Sequence, residues 1–198
     1  MLSLAIQAGG DSRRMGQNKA LLPFLGSPLI ERVVRRLAPI ADEVFIMANE
    51  PEPYLFLGLP VIPDFHPGKG PLGGLYAALQ HAGHPAVAVV ACDMPFASVD
   101  LFVYLYDLLD KEGADVAVPM TPLGLEPLHA VYRKDSCLPI VKAAFDAERL
   151  KMTAWFSKVR TRTVSAEELH KFDRDGVIFL NVNTPDEFQK AESYARGH

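Results

Sequence analysis

Residues 86–96 read AVAVVACDMPF, and the fold turns on how they are read. An unbroken run of small and branched apolar residues offers no polar face to water. It therefore predicts a strand buried on both sides of a sheet. The run stops on Asp93. A carboxylate at the end of a buried strand is costly unless something compensates it. Asp93 is then either a ligand for a hard cation such as Mg2+ or an aspartate that caps a turn or helix.

Working outward, the flanks alternate helix and strand. GLYAALQHAG (74–83) predicts a helix closing on Gly83, and Ser98 caps a helix over SVDLFVYLYDLLDKEG that Gly113 ends. Upstream, LPVIPD (59–64) and DEVFIMAN (42–49) read as strands, and LPVIPD also stops on an aspartate, Asp64. PLIERVVRRLAPI (28–40) reads as a helix with Pro28 in its first turn, and LSLAIQA (2–8) as the first strand. This order predicts an α/β fold, a Rossmann-like doubly wound and mostly parallel sheet. In such sheets ligands bind beyond the carboxyl ends of the strands, where Asp64, Asp93 and the loop after Ala8 all fall. The later part is less regular. ADVAVPM (114–120), LHAVYR (128–133) and VIFLNVN (177–183) read as strands, and DSCLPIVKAAFDAERL (135–150) as a helix. A last helix, TPDEFQKAESYARG, starts with the cap Thr184, the first-turn Pro185 and the capping-box acid Glu187.

The composition narrows the class. At 198 residues with no repeats or linkers, a single domain over 1–198 is expected. A net charge of −4 and a pI near 5.9 argue against a general nucleic-acid or anionic-membrane partner, so any basic site must be local. No stretch reaches the roughly 18 apolar residues of a membrane span. MLSLAIQAGG lacks the basic start of a secretory signal. Cys92 and Cys137 lie far apart without metal-ligand spacing. Together these features predict a soluble protein of the reducing cytoplasm.

One local basic site is visible. Gly9 and Gly10 are followed by Arg13, Arg14 and Lys19. The loop is neither a P-loop nor a dinucleotide fingerprint, yet its glycines permit close backbone approach and its cations suit phosphate oxygens. A solvated loop with incidental cations is the competing reading. Gly70, Gly73 and Gly74 precede a helix whose free amides suit a ligand's base or sugar, or else permit tight packing on the sheet. His81 and His84 have no third metal ligand nearby, and Cys92 reads as core. No Ser/His/Asp or Cys/His arrangement and no G-x-S-x-G is present, which argues against covalent hydrolysis.

Taken together, AGGDSRRMGQNKALL (8–22), GPLGGL (70–75), ACDMPF (91–96) and FLNVNTPDEF (179–188) resemble, in order, the sequence blocks of the molybdenum cofactor guanylyltransferases. These enzymes join the GMP part of GTP to the phosphate of a molybdopterin-type cofactor and release pyrophosphate. The resemblance implies a Mg2+-dependent nucleotidyltransferase fold, with a nucleotide-binding part over about 1–120 and an acceptor-binding part over about 121–198. It implies that Gln7, Ala8, Gly9 and Gly10 line the base pocket. Arg13 and Lys19 would meet phosphates, Asn49, Asp64 and Gly73 would hold nucleotide, and Asp93 would carry Mg2+. Lys19, Arg14 and Asp93 are the expected catalytic residues. His129, in EPLHAVY, and Asn181 and Asn183 would lie toward the pterin acceptor. Gln7 stands where leucine is common, and Met47 where some members place a nucleotide-contacting asparagine. Asn49, two residues on, is the expected substitute.

The sister enzymes that use CTP tend to read A-A-G where this chain has Ala8-Gly9-Gly10, which favours guanine. The expected substrates are thus GTP and a molybdopterin-type cofactor, and a monomer with at most transient contacts to other cofactor-biosynthesis proteins is expected. A cytidylyltransferase, a sugar-phosphate nucleotidyltransferase or a nucleotide-binding regulator are the alternatives. The presence of both Lys19 and Asp93 argues against a regulator.

Overall fold

The computed structural model describes residues 1–8, 18–64 and 69–197. The chain starts with β1 (Leu2–Gln7), and after a short turn over Lys19–Leu21 forms the small hairpin β2 (Pro23–Phe24) and β3 (Ser27–Pro28). Next come α1 (Leu29–Leu37), β4 (Glu43–Met47), β5 (Val61–Ile62), α2 (Pro71–His81), β6 (Ala86–Ala91) and α3 (Val99–Lys111). The second part contains β7 (Val116–Thr121), β8 (Gly124–Leu125), β9 (His129–Arg133), α4 (Lys134–Asp146), β10 (Thr161–Val164), α5 (Ala166–Leu169) and α6 (Pro185–Gly197). The main sheet runs β10-β7-β9-β6-β1-β4-β5, with β8 paired to β7. Along that order β9 alone is antiparallel to its neighbours, so the expected mostly parallel, doubly wound sheet is what forms.

The alternation of side chains divides the core. Leu4, Ile6, Ala88 and Val90 face α1 and α3, while Ala5, Phe45, Val87 and Val89 face α2 and α4. Every residue of β1 and β6 is buried, the burial expected of central parallel strands covered on both faces. Ser98 caps α3 by accepting the Leu101 amide, and Gly113 closes the segment in the left-handed region at φ +65°.

Several expected elements are shorter or different. LPVIPD pairs only through Val61 and Ile62, because Pro60 and Pro63 have no N–H for the ladder. Pro28 lies just before α1, at its cap position, and Ala82 rather than Gly83 caps α2. The Gly83 amide instead donates to the Glu43 carboxylate at 2.8 Å. DSCLPIVKAAFDAERL is helical only to Asp146. VIFLNVN is not a strand. The Asp173 carboxylate accepts the amides of Val177 and Ile178, the segment turns, and its apolar residues divide between two cores. Ile178 and Phe179 pack on the α1/α3 side, while Val182 joins Phe24 and Phe96 beneath α6. Alternating apolar residues here serve packing in two directions, not pairing on a sheet.

The loop before β9 is fixed from within the core. The buried Tyr132 hydroxyl donates to the Pro127 carbonyl at 2.6 Å. Tyr132→Phe should lower stability by about 1–2 kcal/mol, a drop in Tm of roughly 2–8 °C in a chain of this size. An unchanged Tm would show that the hydroxyl does not hold that loop.

Candidate active site

The carboxyl ends of β1, β4, β5 and β6 lie side by side, and Asn49, Asp64 and Asp93 lie just past those of β4, β5 and β6. Asn18 builds the approach. Its side chain accepts the Ala20 amide at 3.1 Å and donates to the buried Tyr54 hydroxyl at 2.9 Å, which in turn donates to the Ala8 carbonyl at 3.3 Å. The turn so fixed carries Lys19 across the end of β6. The Lys19 ammonium meets Asp93 Oδ2 at 3.0 Å and Asn183 Oδ1 at 2.7 Å. Asp93 is therefore compensated by a cation, and its backbone carbonyl accepts the Val182 amide at 3.0 Å. Glu187 finishes the arrangement by accepting the Asn183 and Thr184 amides at 2.8 and 2.9 Å. The Asn183 amide lowers its pKa.

A second group forms on the α2 side. Asn49 accepts the Asp64 amide at 2.8 Å, and the Asp64 carboxylate lies so close to Gly73 that a Cβ there would come within 2.6 Å of Oδ2. Gln7 lies against Gly74 in the same way, at 3.1 Å from a Cβ built there, and its Nε2 is buried without a hydrogen-bond partner among the described residues. The two glycines thus make room for polar side chains rather than for helix packing alone. Met47 is buried in the core on the face of α2, and Asn49, two residues on, is exposed just past the end of β4.

At Asp93 a cleft of about 300 Å³ is lined by Asn181 and Asn183, by Glu126, Pro127, Leu128 and Met152, and by Pro71 at the start of α2. Asn181 Oδ1 is buried without a hydrogen-bond partner among the described residues. The Thr121 hydroxyl donates to Glu126 Oε1 at 3.2 Å, and burial raises the Glu126 pKa.

His129, expected toward the acceptor, is instead wholly buried, stacked on Phe102 at 4.3 Å and set edge-on to Phe179 at 5.1 Å, with neither ring nitrogen hydrogen-bonded among the described residues. Its upstream neighbours line the cleft in its place. Burial drives the Cys92 thiol up to about 12, so Cys92 is a core residue, as its position beside Asp93 suggested. Gly9, Gly10, Arg13 and Arg14 lie outside the described residues. Among the described residues no cluster of three or more His, Cys, Asp or Glu is placed to hold a metal, and no helix is long and apolar enough to cross a membrane.

Reading by strand ends and loops missed Asn18, Tyr54, Glu126 and Met152. Asn18 carried a usable signal, since an asparagine before a short turn is a favoured cap. Met152 carried none.

The family model of the MobA-like NTP transferase domain matches residues 4–163. The chain belongs to this family. It is 43% identical over 190 residues to a probable molybdenum cofactor guanylyltransferase of Pelotomaculum thermopropionicum, covering 96% of this chain and 91% of that one. It is 36% identical to the molybdenum cofactor guanylyltransferase of Desulfosudis oleivorans, with 95% and 93% covered. The crystal structure of molybdopterin-guanine dinucleotide biosynthesis protein A from Archaeoglobus fulgidus superposes with a TM-score of 0.85 at 28% identity, covering 99% of this chain and all of that one. A 2-C-methyl-D-erythritol 4-phosphate cytidylyltransferase from Thermus thermophilus shares the fold at a TM-score of 0.68, 18% identity and 98% of each chain.

In this member of the family, His129 makes acid stability a test of the buried ring. Burial pushes its folded pKa down to about 3, below the ordinary 6.5. Between those values the unfolded chain holds a proton that the folded one does not. Stability therefore falls as pH drops through that window. His129→Leu should lack this contribution, so its stability relative to the parent should rise by about 1 kcal/mol from pH 6 to pH 5. Parallel pH–stability curves for the two proteins would contradict a neutral buried ring.

Proposed function

We propose that the protein transfers GMP from GTP to the phosphate of a molybdopterin-type acceptor and releases pyrophosphate, acting as a monomer in the cytoplasm. The observation that carries the reading is Lys19, held between Asp93 and Asn183 where the nucleotide end of the sheet meets the cleft. The names of the similar proteins support the choice of GTP and of the acceptor.

In this reaction an acceptor phosphate oxygen forms a bond to the α-phosphorus of GTP. The bond from that phosphorus to the oxygen bridging toward the β-phosphate breaks, and pyrophosphate leaves with the electron pair. The attacking oxygen is already anionic, so the step needs no general base. The barrier is repulsion between polyanions, so positioning and charge stabilisation carry the catalysis. Lys19 supplies a fixed cation at the meeting point of the two phosphates, with Arg13 and Arg14 assigned from sequence to the rest of the triphosphate. Asn49, Asp64, Gly73, Gln7 and Ala8 hold the nucleoside side, with Gly9 and Gly10 assigned to it from sequence. Asn181 and Asn183 face the acceptor.

Mg2+ suits the donor set. It binds through one or two carboxylates together with substrate phosphates and water, and Asp93, a single carboxylate past the end of β6, is such a ligand. When bound beside Asp93, the cation would offset charge on the phosphates. Asp93 also keeps the Lys19 ammonium aimed across the strand end.

Thermal unfolding with the four nucleoside triphosphates, each with and without Mg2+, tests the substrate. A saturating ligand at a hundred times its Kd adds about 2.7 kcal/mol, or roughly 5–10 °C here. The reading predicts that shift with GTP and Mg2+. A larger shift with CTP would replace guanylyl by cytidylyl transfer. Lys19→Met and Asp93→Asn should each keep the fold and lower kcat on the order of 10²–10³-fold. Full turnover by Asp93→Asn would remove Asp93 from the reaction.

A further inference from the structure

The cleft beyond Asp93 holds two hydrogen-bond acceptors that the transfer chemistry does not use. Glu126 Oε1 accepts only the Thr121 hydroxyl among the described residues, and no described cation pairs with the carboxylate. Asn181 Oδ1 is buried in the same cleft with no hydrogen-bond partner among the described residues. A buried acceptor left unpaired is costly, and the half-buried Glu126 carboxylate has a single described donor for its two oxygens, so a bound molecule with N–H donors would gain at both. Pro127, Leu128 and Met152 line the same cleft with apolar surface suited to a flat ring, and methionine adapts readily to ring edges.

We propose that Glu126 reads the 2-amino-4-oxopyrimidine edge of the acceptor's pterin ring and so fixes acceptor specificity, with Asn181 Oδ1 taking a further N–H. That edge presents a ring N–H beside an exocyclic amine, two parallel donors that match the two oxygens of one carboxylate. The guanine of GTP carries the same edge. The arrangement favours the pterin, because Glu126 shares its cleft with Asn181 and Asn183, and although Pro71 at the start of α2 borders it, Gln7, Asn49, Asp64 and Gly73 do not line it. The identity of the acceptor rests on the guanylyl-transfer reading. The chemistry of the edge does not.

The test uses two free pteridines on the full chain. Pterin carries the 2-amino group, and lumazine replaces it with a carbonyl that faces the carboxylate unfavourably. Titration followed by pteridine fluorescence should show the parent protein binding pterin at least about tenfold more tightly than lumazine. Glu126→Gln should lose that preference and keep its GTP-dependent thermal shift. Thr121→Val, which frees the carboxylate without removing it, should reduce the preference partially. In a transfer assay Glu126→Gln should raise KM for the acceptor with kcat and the KM for GTP little changed. Equal or absent binding of the two pteridines by the parent would overturn the proposal, as would an intact preference in Glu126→Gln. Loss of the GTP shift in that variant would assign the edge to guanine instead. A parent protein that selects pterin but transfers no GMP would sink the proposed reaction and leave the Glu126 site standing.

Discussion

The Lys19 ammonium is where distant parts of the chain meet. It bridges a carboxylate 74 residues away and a carboxamide 164 residues away, and each partner belongs to a different element of the fold. Asp93 lies past the end of a strand buried along its whole length, where an uncompensated charge would be unfavourable. The side chains of Lys19 and Asp93 are 21% and 16% exposed, enough for a ligand to reach and little enough that water does not screen the pair fully. The packing around it follows from this requirement. Asn18 and Tyr54 anchor the turn that delivers the lysine, and the segment before α6 docks on the Asp93 carbonyl through Val182. Glu187 then caps α6 and holds the backbone at Asn183 in place.

That geometry divides the site by chemistry. On one side, Gly73 and Gly74 leave room for the Asp64 carboxylate and the Gln7 carboxamide, giving a narrow polar surface at the start of α2. On the other, the cleft combines apolar residues with the acceptors of Glu126 and Asn181. A fixed cation between two differently built surfaces suits the proposed joining of two unlike molecules through a phosphate bridge. The shared fold with a cytidylyltransferase of low identity shows how widely the sheet is used; what distinguishes this chain lies in its loops and strand ends.

The central sheet was legible because parallel strands buried on both faces leave uninterrupted apolar runs, as in residues 86–91, and because cap residues such as Ser98 and Thr184 mark where helices begin. Asp93 was legible for the same reason, as a charge at the end of such a run. The failures share a cause in tertiary context. Residues 177–183 alternate like a strand, yet their side chains fill two separate cores, which no local period reports. His129 lies in a motif whose neighbours do reach the cleft, but Phe102 and Phe179 enclose the ring itself. Glu126 was visible as a letter, while its isolation from any described cation depends on residues far away in sequence.

The most direct measurement follows the α-phosphorus of GTP. The purified chain, a molybdopterin acceptor and Mg2+ would be incubated in parallel with GTP labelled at the α- or the γ-phosphate, and the products separated. The account predicts α-label in a guanine dinucleotide product and γ-label in pyrophosphate, in equal amounts and dependent on Lys19. Release of γ-label as inorganic phosphate, with the α-label left in GDP, would mean cleavage at the wrong bond and would contradict it.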